Sequence, residues 1–232
     1  MQYLRFGVLF IALSISSCYP SSGTLSPKAI RPLGERPRVF VVNYPLRYFA
    51  ERIGGDYIEV HFPVPADIDP AFWRPDSQVI RGFQEADLIL LNGAGYAKWL
   101  QMVSLPTSRM VNTTEAVRKK YILVKDGVTH QHGPEGKHTH AGTAFTTWLD
   151  PTIAIAQARS VKDALAKLSP EHASVFEANF AELEKDLAAL DAEFEAVFAG
   201  VGQQPLLASH PVYQYLAQRY GLNLQSVHLG TR

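Results

Sequence analysis

The segment after Ser169 restricts the architecture more than any other. Phe176, Phe180, Leu183, Leu187, Leu190, Phe194 and Val197 recur at spacings of 4, 3, 4, 3, 4 and 3, a single apolar stripe on an α-helix. Ser169-Pro170-Glu171 is a good start for it. Serine serves as N-cap, proline takes the first helical position, and an acid sits in the first turn, where unpaired N–H groups favour negative charge. Gly200 is the stop. At about 1.5 Å per residue, residues 171–199 predict a helix of roughly 44 Å, longer than a typical crossover helix. A stripe of that length suits either a coiled-coil seam or a spine packed along two lobes.

Ahead of that helix, short apolar runs alternate with helical spacing. RVFVVNY (38–44) reads as a buried strand. Leu46, Phe49, Ala50 and Ile53 read as a helix stopped by Gly54-Gly55, and YIEVHF (57–62) as a second strand. A proline-rich loop, PVPADIDPAFWRP, leads to a helix marked by Val79, Ile80 and Phe83. DLILLN (87–92) is a third strand turned by Asn92-Gly93, Trp99 and Leu100 suggest a short helix, and strand candidates recur at 109–112 and 121–124. Such alternation predicts a mostly parallel sheet with ligands beyond its strand C-termini. The loop after the second strand is thus either a ligand site or a proline-stiffened connection. Ile155, Ala158, Val161 and Leu165 predict a further helix after Asp150-Pro151. Past Gly200 come a strand, LLASH (206–210), a helix through Val212, Tyr215, Leu216 and Tyr220, and a strand, LNLQSVHL (222–229). Residues 201–232 are too few for an independent core.

The N-terminus reads as an address. Arg5 precedes a largely apolar stretch of ten residues, Phe6 to Ile15, and then Ser16-Ser17, a secretory signal too short to span a bilayer as a mature helix. Cys18 follows at once, and Ile15-Ser16-Ser17-Cys18 resembles the lipobox of bacterial lipoproteins, whose cysteine is lipidated. A plain secretory peptide with an incidental cysteine is the alternative. An unpaired thiol in an oxidising compartment is a liability, which favours lipidation. Residues 18–37, with Pro20, Pro27, Pro32 and Pro37 among Ser, Gly and Thr, read as an extended tether. One cysteine excludes a disulfide framework or a Cys-rich zinc module. Composition of 47% hydrophobic and 19% charged residues excludes a mostly disordered chain. Twenty-two basic residues against 22 acidic ones exclude general binding to nucleic acid.

Histidines carry the functional signal. Four of the eight fall within residues 130–140, as His130-Gln131-His132 and His138-Thr139-His140 around a Gly-Pro-Glu-Gly hinge. Residues i and i+2 of an extended chain point the same way, so each unit offers two imidazoles to one ion. Imidazole suits zinc, copper and nickel, and four nitrogens match tetrahedral zinc. The bland reading is a solvated polar loop, but so dense a cluster favours metal. A metalloenzyme would need an open coordination position and a base. Glu135 is available, yet there is no HExxH motif, and the chain reads as no enzyme. His61, His172 and His228 are singletons suited to structural or surface roles, whereas His210 lies at a strand end before a helix, where ligands bind.

Together these features resemble the solute-binding lipoproteins of bacterial ABC transporters for zinc and manganese. The resemblance runs from about Val39 to the C-terminus. It rests on FAERIGGDYIEV, PADIDPAFWRP, QEADLILLNGAGYAKWL, TTWLDP and SHPVYQYLAQRYGL, with a His-rich loop before WLDP as in the zinc-binding branch. It implies an α/β fold of two lobes joined by a long rigid helix, with metal held between them. The organisation expected is a signal peptide (1–17), lipidated Cys18 and tether (18–37), an N-terminal lobe (38–168) carrying a His-rich loop (129–143), a linker helix (169–200), and the start of a C-terminal lobe (201–232), incomplete in this chain.

The ligand pattern departs from the family's. Its first histidine follows an Asp-Pro pair, but Asp69-Pro70 is followed by Ala71. Its second stands two residues before the Trp of WLDP, where Thr146 precedes Trp148. Its third matches His210, and its carboxylate would lie beyond residue 232. Either His130, His132, His138 and His140 replace the lost ligands, or the chain is a scaffold or surface interaction lipoprotein without tight metal binding. Four imidazoles just upstream of Thr146 favour replacement. Asp69, Trp73 and Arg74 are expected to line the cleft. The expected cargo is zinc, or alternatively manganese or another divalent transition metal. The expected partner is an ABC permease, and the protein is expected to be a monomer, bound to the cell-envelope membrane through its lipid and facing the periplasm or exterior. Cys18→Ser is expected to move the protein from the membrane to the soluble fraction, as read by fractionation and immunoblotting. Unchanged membrane association would remove the lipid anchor.

Overall fold

The computed structural model describes residues 35–131 and 137–226, with side chains except over 125–141. The expected signal peptide, Cys18, the expected tether up to residue 34, His132 and His228 lie outside the described residues. Strands Arg38–Val41 (β1), Glu59–His61 (β2), Leu88–Leu91 (β3) and Met110–Asn112 (β4) form a parallel sheet in the order β2-β1-β3-β4. Val39 pairs with Val60 on one side and Leu88 on the other. Central strands covered on both faces need apolar residues at successive positions, and Val39 to Val42 and Leu88 to Leu90 are all buried.

Helix starts follow local chemistry. Asn43 caps Tyr44–Gly54 (α1) by accepting the Leu46 N–H at 3.0 Å. Asp76 caps Ser77–Glu85 (α2), accepting from Gln78 and Val79 at 2.9 Å each. Asp150 caps Pro151–Leu168 (α3), accepting the Thr152 N–H at 2.8 Å. Each cap satisfies N–H groups that the first helical turn leaves without partners. On the α2 side of the sheet, Phe40 meets Phe83 at 4.9 Å and Phe83 meets Trp99 at 5.0 Å. His61 stacks on Phe40 at 4.7 Å, and His172 lies 4.2 Å from Tyr57.

The long helix begins with a tighter turn, Pro170–His172, and continues as Ala173–Ala199 (α4). Its stripe divides. Phe176, Phe180 and Leu183 are buried with α1 and α3, whereas Leu190 is 39% exposed and Val197 64%. On the distal half, Phe194 and Phe198 lie 5.7 and 5.2 Å from Tyr220 of Gln214–Tyr220 (α5). One helix thus packs on two successive units, the spine of the two alternatives, because its apolar stripe outlasts the first lobe. The second unit is a parallel pair, Leu206–Ala208 (β7) and Leu224–Ser226 (β8), with α5 between them in sequence.

The sequence expectation needs three corrections. In α3 the buried stripe runs through Ile153, Ala154, Gln157, Ala158, Val161 and Leu165, with Ile155 only half-buried. Gln157 belongs to it through hydrogen bonding rather than hydropathy. Residues 121–124 do not extend the parallel sheet. Leu123–Gln131 (β5) pairs antiparallel with Lys137–Thr143 (β6), so the expected His-rich loop is largely a two-stranded ribbon. The strand read at 206–210 ends at Ala208, which leaves His210 in the connection to α5.

Burial of the proximal stripe should dominate stability. Phe176→Ala is expected to cost about 3–5 kcal/mol, and Val197→Ala less than about 0.5 kcal/mol, measured by denaturant unfolding.

Candidate functional site

The C-terminal ends of β1, β3 and β4 meet in a buried polar network. Asn92, after β3, accepts from Asn43 Nδ2 at 3.0 Å and from Gln157 Nε2 at 3.2 Å on its Oδ1. Its own Nδ2 donates to the Phe145 carbonyl at 2.9 Å. Gln157 Nε2 also reaches Thr113 Oγ1 at 3.1 Å, and Thr147 Oγ1 donates to Gln157 Oε1 at 3.2 Å. Buried amides are costly unless paired, and here their pairing fixes where residues 144–148 cross the strand ends. The adjoining turn has φ of 75° at Gly93, 51° at Ala94 and 72° at Gly95. At Gly93 a Cβ would lie 2.2 Å from Thr114 Oγ1 and 2.3 Å from Asn112 Oδ1, so both its φ and its surroundings require glycine.

A cleft of about 530 Å³ opens above this floor. Phe72, Phe145, Tyr96 and Trp148 supply much of its wall. Burial, with a smaller contribution from the charge of Asp69, pushes the Tyr96 hydroxyl well above its ordinary pKa. Asp69 lies on the rim and accepts the Ala71 N–H at 2.9 Å. Another part of the rim is the β7–α5 connection, with His210, Val212 and Tyr213. His210 is exposed, and its Nδ1 is 3.0 Å from Ser209 Oγ.

Two contacts hold that rim against the first lobe. Thr146 Oγ1 donates to the Val212 carbonyl, and the Tyr215 hydroxyl donates to the Ala144 carbonyl at 3.0 Å. Behind them, Arg219 grips Asp191 of α4 at 2.6 and 3.1 Å, and the Tyr220 hydroxyl adds a bond at 2.7 Å. The Arg219 bonds, more than that of Tyr220, hold the Asp191 carboxyl below its ordinary range against the effect of burial.

Of the residues singled out in the sequence, Asp69 and His210 both line the cleft. Trp73 does not. It packs edge-on to Trp99 at 6.3 Å, against the core, because its ring follows the buried face of the loop. Arg74 is exposed and outside the lining. Ala71 is buried, and Thr146 spends its hydroxyl on Val212. The backbone register sets His130 opposite His138 and His140 opposite Val128, on a ribbon whose roots, Val124 and Thr143, line the cleft. Among the described residues no group of three or more His, Cys, Asp or Glu could hold a metal ion. The sequence reading does not single out Tyr96, Phe145, Trp148 or Asn92. The available signal is a run of aromatic and amide residues beside the Asn92-Gly93 turn and before Asp150.

A parallel α/β lobe, a long helix leaving it for a second α/β unit, and a cleft at their junction define the two-lobed solute-binding class. Within that class the chain belongs to the family described as zinc-uptake complex component A, periplasmic (ZnuA), whose profile matches residues 39–231. It is 28% identical over 203 residues to the zinc-binding protein AdcA of Streptococcus pyogenes serotype M3, covering 82% of this chain and 39% of that protein. A putative metal-binding protein of Treponema pallidum is 26% identical over 225 residues, covering 95% and 68%. The crystal structure of the metal-dependent lipoprotein YcdH from Bacillus subtilis superposes with a TM-score of 0.70 at 22% identity, over 84% of this chain and 68% of that one. The chain thus spans about two-fifths of the streptococcal relative's length.

The Asp191 clamp gives a pH prediction. A carboxyl whose folded-state pKa lies below its ordinary 3.8 stabilises fully above that value and loses this contribution as pH falls through the lower one. Asp191→Asn should therefore be less stable than the parent well above pH 3.8, with the gap narrowing as pH falls below that value, as read by denaturant unfolding across a pH series.

Proposed function

We propose that this chain captures a divalent transition metal, foremost zinc, outside the cytoplasm and passes it to an ABC permease, held at the membrane through lipidated Cys18. It works by binding and release and uses no catalytic residue. Membership of the zinc-uptake family supports metal capture. The observation that carries the reading is the register of β5 and β6. In the backbone register His130 directly opposes His138, with His140 two residues further along β6. Neutral imidazoles in that number favour zinc over manganese, which prefers oxygen ligands. The ribbon is rooted beside the cleft rim that carries His210. At about 3.3 Å per residue, His140 stands roughly 10 Å along the ribbon from Thr143. A site joining His138, His140, His130 and His132 to His210 therefore requires the ribbon to fold over the cleft.

The test is zinc titration of the chelator-stripped protein by calorimetry. The parent is expected to take one tight ion. His138→Ala with His140→Ala, and separately His210→Ala, are each expected to abolish stoichiometric binding, since a site short of ligands is water-completed and much weaker. One tight ion retained in the ribbon variant would limit the ribbon to attracting metal and overturn the shared site. No zinc binding by the parent would overturn metal capture and leave a scaffold or surface interaction protein.

A further inference from the structure

We propose that the turn after β4, with Arg118, Lys119, Lys120 and Leu123, docks on an anionic phospholipid surface and so sets how the folded body lies against a membrane. The inference rests neither on zinc capture nor on acylation of Cys18, because it concerns charge on the outside of the first lobe.

Unanswered charge is the first ground. Between Asp87 and Asp126 the sequence has six cations, Lys98, Arg109, Arg118, Lys119, Lys120 and Lys125, against one acid, Glu115. That is a local excess in a chain whose charges balance overall. Arg118, Lys119 and Lys120 are consecutive and exposed at the end of the tight turn Glu115–Lys120. The ion pairs Arg47–Glu51 and Arg52–Asp186, at 2.7 Å each, and Lys162–Glu177, at 3.0 Å, show the commoner arrangement, in which an acid answers each cation. In the turn, Arg118 meets Glu115 at 3.5 Å and stays 67% exposed. Lys120 Nζ donates to a hydroxyl, Thr152 Oγ1, at 3.3 Å. Among the described residues no carboxylate pairs with Lys119 or Lys120. Cations left without acids gain from an anionic surface, where each is attracted within about a Debye length.

The second ground is the apolar residue beside them. Leu123 is 73% exposed, more than any other large hydrophobic residue described. Cations next to a bare aliphatic side chain suit a bilayer interface, where headgroups take the charges and the acyl boundary takes the leucine. A single-stranded nucleic acid would call for rings on which to stack its bases. Tyr121, the ring in this stretch, is held by Thr114 and by the Ala94 N–H, which donates to its hydroxyl at 3.1 Å.

Position is the third ground. The turn leaves the C-terminal end of β4, and the cleft opens at that same end of the sheet. Val124, next to Leu123, lines the cleft. Docking by this edge brings the mouth of the cleft beside the membrane. Each cation raises partition onto an anionic surface about fivefold, and three together about a hundredfold. That orients a body already at a membrane and is too weak to retain a free one, so Cys18→Ser protein still leaves the membrane on cell fractionation.

The test is co-sedimentation of Cys18→Ser protein, taken from the soluble fraction and stripped of metal, with two kinds of vesicle at low salt. One is phosphatidylglycerol and phosphatidylcholine in equal parts, the other phosphatidylcholine alone. Partition onto the mixed vesicles about a hundredfold above that onto the neutral ones is expected, falling as salt is added. Lys119→Gln with Lys120→Gln should lower it about twenty-five-fold, and Leu123→Ser severalfold. Arg47→Gln with Lys185→Gln removes the same charge elsewhere and should leave partition within about twofold. Thermal melting verifies that each variant folds. His138→Ala with His140→Ala should leave partition unchanged, which separates this surface from zinc capture. Equal binding to both kinds of vesicle, or equal losses in the two charge variants, would overturn the proposal. So would tighter binding to soluble polyglutamate than to the mixed vesicles, which would assign the turn to an acidic polypeptide.

Discussion

Asn92 is the amide on which the rest of the cleft depends. Its side chain joins the end of β1 through Asn43, α3 through Gln157, and the segment before α3 through the Phe145 carbonyl. Asn43, Asn92 and Gln157 are buried, so leaving one of their amides unpaired would cost about 1–3 kcal/mol. The network therefore behaves as one unit. Phe145 and Trp148 stand where they do because the chain beneath them is pinned, and Tyr96 because the left-handed turn at Gly93 to Gly95 brings it back over the strand ends.

Much of the first lobe was legible residue by residue. Val39, Val41 and Leu88 to Leu90 are apolar in unbroken runs, a pattern that a doubly covered parallel strand produces and little else does in so short a span. The phase of the α4 stripe was equally plain, since seven large apolar residues hold one spacing. Even so, spacing alone could not say that Leu183 would be buried and Val197 exposed, because burial depends on where the neighbouring lobe stops.

The cleft was largely hidden for a related reason. Phe72, Tyr96, Phe145 and Trp148 come from three separate connections, and each alone reads as ordinary core. Only the assembled strand ends bring them together. Trp73 shows the converse. It lies one residue from Phe72, yet its ring turns into the core against Trp99, a choice of face that an irregular loop does not encode in its periodicity. His210 was read as a strand end before a helix, and although the strand stops at Ala208 the residue does line the cleft. Gln157 shows why the α3 stripe was misphased: a buried amide satisfied by Asn92 and Thr113 counts as polar in any hydropathy pattern.

The bond from Thr146 to the Val212 carbonyl has a mechanical consequence. Together with Tyr215 on the Ala144 carbonyl and Arg219 on Asp191, it braces the His210 rim from the cleft side and from α4. Two braces on opposite sides of a short helix oppose rotation in either direction, so the aperture is held at a set width. Tyr44 and Tyr213 are among the side chains that line that aperture.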